Sequence, residues 1–73
     1  MTFEELWERI WEEAHLPSGA KELIPQSLSH RTKDKLLKSK KNPHDIATII
    51  EDAVTTINKG SVESLDSIVS KRL

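Results

Sequence analysis

Cysteine is absent from this 73-residue chain, so neither a disulfide nor a thiolate metal site can brace it. Glycine occurs only twice, too seldom for a glycine-rich loop that cradles phosphate. No apolar run reaches the roughly 18 residues that cross a bilayer. The first residues lack a basic segment followed by an apolar stretch, so no secretory leader is expected and the cytoplasm is the expected location. Strict polar–apolar alternation and hairpin dipeptides are missing as well, which leaves no strand to predict. The aromatics are few: Phe3, Trp7 and Trp11.

What remains is charge and helical periodicity. Charged residues make up 32% and apolar ones 36%, the composition of a folded domain rather than a disordered chain. The length allows one helical domain over residues 1–73. A single core of that size leaves only about 3–5 kcal/mol of net stability.

The best-specified stretch is 42–60. Asn42 can cap a helix, Pro43 suits its first position, and Asp45 can complete a capping box. Ile46, Ile49, Ile50, Ala53, Val54 and Ile57 then form one apolar stripe, and Gly60 can close the helix in the left-handed conformation. A helix over 43–59 follows. A first helix over 3–15 is predicted by Thr2 with Glu5 and by the stripe Phe3, Leu6, Trp7, Ile10, Trp11 and Ala14. Its three rings, spaced four apart, read either as the bulky half of the core against the isoleucine face or as an anchor row for a partner.

Ser18 can cap a short helical turn over 20–24 with Leu23 and Ile24 facing inward, and Pro25 is expected to stop it. A third helix, 28–38, is capped by Ser27 or Ser29 and has a thin apolar stripe of Leu28, Leu36 and Leu37 around Thr32. Ser61 is expected to cap the last helix, 61–72, with Val62, Leu65, Ile68, Val69 and Leu73 inward. The predicted fold is all-α, a small compact bundle of three to four helices.

Charge is segregated along the chain. Residues 1–20 carry a net −4, residues 21–41 a net +5, and residues 42–73 a net −2. His15, His30 and His44 fall in separate segments and not at the i, i+4 spacing of metal ligands, so no metal site or cofactor is expected. The acids lie on predicted solvent faces and the serines on caps and turns, which argues against an enzyme. The functional signal is the basic run: Arg31, Lys33, Lys35, Lys38, Lys40 and Lys41 are the candidate partner-binding residues, and Lys40 and Lys41 with the N–H groups at 42–45 could hold an anion. Glu5, Glu8 and Glu12 form a second candidate surface.

The expected function is a non-enzymatic adaptor or regulator acting by protein–protein contact. The alternative is a small nucleic-acid-binding regulator with the 31–41 segment on phosphates, since a helix–break–helix outline precedes residue 60. Against it stand a net charge of −1 and the absence of an aromatic beside the basic run. The acidic face of the first helix and the basic face of the third are complementary, within one chain or between two copies in a homodimer.

Overall fold

A computed structural model describes residues 2–60 and 62–73, and among these five α-helices and no strand occur. They are α1 (Phe3–Glu13), α2 (Ala20–Ser27), α3 (His30–Lys38), α4 (Pro43–Asn58) and α5 (Leu65–Arg72). The expected α1–α4 pairing is the most extensive in the molecule. α4 packs on α5, α5 on α3, and α3 on α1, which closes a cycle of four helices. α2 touches α5 and, through Lys21, α1, two helices at opposite corners of that cycle, so it lies across them. The core is shared by all five: Leu6, Trp7 and Ile10 of α1, Ile24 of α2, Leu36 of α3, Ile46, Ala47, Ile50 and Ala53 of α4, and Ile68 and Val69 of α5.

Local chemistry sets most helix boundaries. The side chains of Thr2, Ser29, Asn42 and Ser64 each accept a backbone N–H three residues on, which starts α1, α3, α4 and α5. Gly60, at φ +97°, follows the end of α4 and donates its N–H to the Ile57 carbonyl. The predicted stripe of α4 is inward throughout, with Ile46, Ile50 and Ala53 buried and Ile49, Val54 and Ile57 half-buried.

Four helix boundaries are corrected, and two side chains with them. α1 ends at Glu13 rather than His15, because Ala14 turns extended and the His15 N–H is taken 2.6 Å away by the Glu51 carboxylate on α4. α3 starts at His30, since Leu28 is drawn into the core at the end of α2. The last helix starts at Leu65; its cap is Ser64, while Ser61 lies outside the described residues. Val62 is consequently fully exposed instead of inward.

The fourth correction, the run of α2 through Pro25 to Ser27, adds a fifth helix to the expected count. Proline offers no N–H to the carbonyl four residues earlier, here that of Lys21. Trp7 supplies the missing donor: its indole Nε1–H reaches the Lys21 carbonyl at 2.9 Å. With that carbonyl satisfied the helix tolerates the proline, and Ile24 and Leu28 are both buried. Leu23, expected inward, faces solvent at 63% exposure.

Candidate docking surfaces

α3 is held by polar ties as well as by burial, for of its residues only Thr32 and Leu36 are buried. Asp66, in the first turn of α5, accepts the Ser29 N–H at 2.7 Å. The Thr32 hydroxyl, then that Ser29 N–H, hold the Asp66 carboxyl below its usual value, against the opposing effect of burial. One acid thus serves two helix N-termini, its own and that of α3. At the other end of the interface Lys35 Nζ donates to Ser70 Oγ at 3.0 Å.

The basic residues divide between two faces. Arg31, Lys35 and Lys38 stand at i, i+4 and i+7 and line a groove of about 450 Å³ with Asp34, Ser39 and Leu73. Lys33 points elsewhere: its ammonium lies 5.2 Å from the centre of the Phe3 ring. That contact is worth about 0.5–1 kcal/mol at a partly exposed site. Lys40 and Lys41 sit beyond the helix; their side chains, like that of Arg31, make no hydrogen bond or ion pair among the described residues, while the Lys41 N–H donates to Ser39 Oγ at 3.1 Å. Lys38 pairs with Asp34 at 3.2 Å, but both side chains are more than half exposed, so water and salt screen the pair.

The second candidate surface is exposed along the outside of α1. Glu5 accepts a long hydrogen bond from the Thr2 hydroxyl, Glu8 pairs with Lys21 at 3.3 Å, and Glu12 lines a shallow groove with Arg9, Glu13, Asn42, Pro43 and His44. Among the described residues no ion pair joins this acidic face to α3, although Glu8 and Lys33 line one groove beside Phe3 and Trp7. The N-terminus of α4 is already served by neighbouring groups: Asn42 Oδ1 takes the Asp45 N–H at 2.9 Å, and the Glu13 carboxylate stands 3.4 Å from His44 Nδ1. Among the described residues no three metal-ligating side chains come together, and no helix is long and apolar enough to cross a membrane.

The three rings of α1 form a ladder, with Phe3 stacked on Trp7 at 6.4 Å and Trp7 tilted against Trp11 at 6.0 Å. Trp7 is only 5% exposed, which assigns it to the core, while Phe3 and Trp11 are half-buried at its edges. Missed from the sequence are the partnership of Asp66 with α3 and the place of Leu73 in the basic groove. Residues 64–66 fall inside the expected last helix, and nothing local points from Asp66 to Ser29. Compared with known protein families, curated proteins and solved structures, the chain matches none.

Proposed function

We propose that the chain is a non-enzymatic cytoplasmic interaction module, an adaptor or regulator that takes an acidic segment of a protein partner into the groove of Arg31, Lys35 and Lys38. The observation that carries this reading is the convergence of those three cations on one groove that is also lined by the half-buried Leu73. A carboxylate-rich peptide with one apolar side chain would find both chemistries there. Guanidinium and ammonium groups on exposed stems favour fast, salt-sensitive association over tight binding.

A second reading, nucleic-acid binding, is favoured by Lys40 and Lys41 just past the groove, whose side chains have no partner among the described residues. It is opposed by the net charge of −1 and by the absence of any ring from the groove lining.

The test titrates a glutamate-rich peptide containing one leucine, and in parallel short duplex and single-stranded DNA, at about 50 and about 200 mM salt. Peptide binding that disappears in Arg31→Glu/Lys35→Glu/Lys38→Glu, with the helical spectrum intact, is the expected result. DNA binding with a log–log salt slope near −0.9 per contacted phosphate, lost in Lys40→Glu/Lys41→Glu, would replace the first reading with the second. Absence of peptide binding at the lower salt refutes the first reading outright.

A further inference from the structure

The basic row of α3 and the acidic row of α1 share a register. Going up α1, Glu5, Glu8 and Glu12 are separated by three and then four residues. Coming down α3, Lys38, Lys35 and Arg31 are also separated by three and then four. On a helix those steps rise about 4.5 Å and about 6 Å. Two such helices laid antiparallel therefore set Glu5 against Lys38, Glu8 against Lys35, and Glu12 against Arg31. Within one chain the two rows belong to helices that meet through other faces, with Lys33 of α3 turned onto Phe3 of α1.

We propose that the acidic partner of the basic groove is a second copy of this chain, docked through its α1 row antiparallel to α3. This names the partner of the site proposed above and rests on that reading. All six side chains are exposed, so the rows are open to another molecule. Their present partners are exposed: Glu8 with Lys21 and Lys38 with Asp34 are solvent-exposed pairs, and Lys35 donates to the Ser70 hydroxyl with the Asp66 carboxylate nearby. The chain's net charge of −1 adds almost no repulsion between copies. Each copy offers one row of each sign, so two copies can exchange rows across a two-fold axis, or copies can add head-to-tail into a ring or a growing chain.

The test is sedimentation of the full chain over a range of concentrations, at about 0.01 M salt, where the screening length is about 30 Å, and at about 1 M, where it is about 3 Å. At low salt the mean mass should rise above the 8.3 kDa of one chain, and at high salt it should fall back. Glu5→Lys/Glu8→Lys/Glu12→Lys and Arg31→Glu/Lys35→Glu/Lys38→Glu should each stay monomeric alone. An equimolar mixture of the two should associate again, since each then presents what the other lacks. Should a triple variant lose its helical spectrum, Glu12→Lys and Arg31→Glu, a facing pair whose side chains have no partner among the described residues, replace it with the same expected pattern.

A wild-type mass of one chain at every concentration in low salt overturns the inference, as does a triple variant that associates like the wild type. If the copies stay apart while the glutamate-rich peptide still binds the basic groove, the inference falls and the proposed function stands. Loss of both sinks both.

Discussion

The bond from the Trp7 indole to the Lys21 carbonyl lends itself to a double-mutant cycle, because Pro25 is the reason that carbonyl needs a donor. Trp7→Phe keeps a ring in the core but removes the N–H, and leaves the Lys21 oxygen without it. An orphaned buried carbonyl costs about 1–3 kcal/mol. Lys21 is half-buried, so water reaches it in part and the lower end of that range applies. The smaller ring adds a packing loss that does not depend on residue 25. Against a total of roughly 3–5 kcal/mol for a core of this size, the substitution leaves a weakly folded but measurable protein.

Pro25→Ala changes the arithmetic. Alanine at 25 restores the N–H that a regular helix points at the carbonyl of residue 21. In that background Trp7→Phe loses packing but orphans nothing. The cycle therefore predicts a coupling of about 1 kcal/mol, with Trp7→Phe costing less when alanine stands at 25. Urea unfolding followed by far-UV circular dichroism reads it directly. With a slope near 1 kcal/mol per molar, the coupling appears as about 1 M in the midpoints. If the two substitutions add to within about 0.3–0.5 kcal/mol, the carbonyl is not what Trp7 satisfies, and the account of α2 running through its proline fails.

Other consequences can be checked with the same assay. Asp66→Asn removes the charged acceptor at the start of α3 and should cost about 1 kcal/mol at neutral pH, typical of a lost cap. Because the folded-state pKa of Asp66 lies below its unfolded value, this stabilisation is fully present above the unfolded pKa and is lost as pH falls through the folded one. An acid titration should thus destabilise wild type more than Asp66→Asn, and parallel curves would dismiss the carboxylate's role. Gly60→Ala places a Cβ at φ +97° and should cost about 1–2 kcal/mol despite the open space around it; an unchanged urea midpoint would count against the left-handed closure of α4. Leu23→Gln and Val62→Thr, both on exposed side chains, should stay within about 0.5 kcal/mol of wild type, whereas Ile10→Ala at zero exposure should cost about 2–5 kcal/mol.

What could be read from the chain alone follows the range of the forces involved. α4 is written locally: its cap, its stripe and its closing glycine lie within the segment they shape, and the helix runs within one residue of expectation. α2 is not, because the group that makes Pro25 tolerable lies on Trp7, well outside the segment. The tie of Asp66 to α3 has the same range, since its carboxylate takes the Ser29 N–H at the start of another helix. In the basic run, the periodicity of α3 already separates Lys33 from Arg31 and Lys35, which stand two residues to either side of it. That Lys33 would find Phe3 depends on how α1 and α3 cross, which no spacing encodes.

The basic groove and the weakness of α3 have one cause. Each position given to an outward cation is one not available for burial, and the helix keeps only Thr32 and Leu36 inside. What holds it is a set of polar ties: Ser29 and Asp66 at its start, Lys33 on Phe3 midway, and Lys35 on Ser70. Such contacts yield to water and salt far sooner than a packed stripe does, so the hold on α3 is more salt-sensitive than that on α4. A partner that binds only the ordered helix must then stabilise it by mass action, and the gain grows with partner concentration. Docking and the ordering of the docking helix are in this sense a single equilibrium. Salt acts on both sides of it, screening the partner's carboxylates and loosening the exposed ion pairs around the groove.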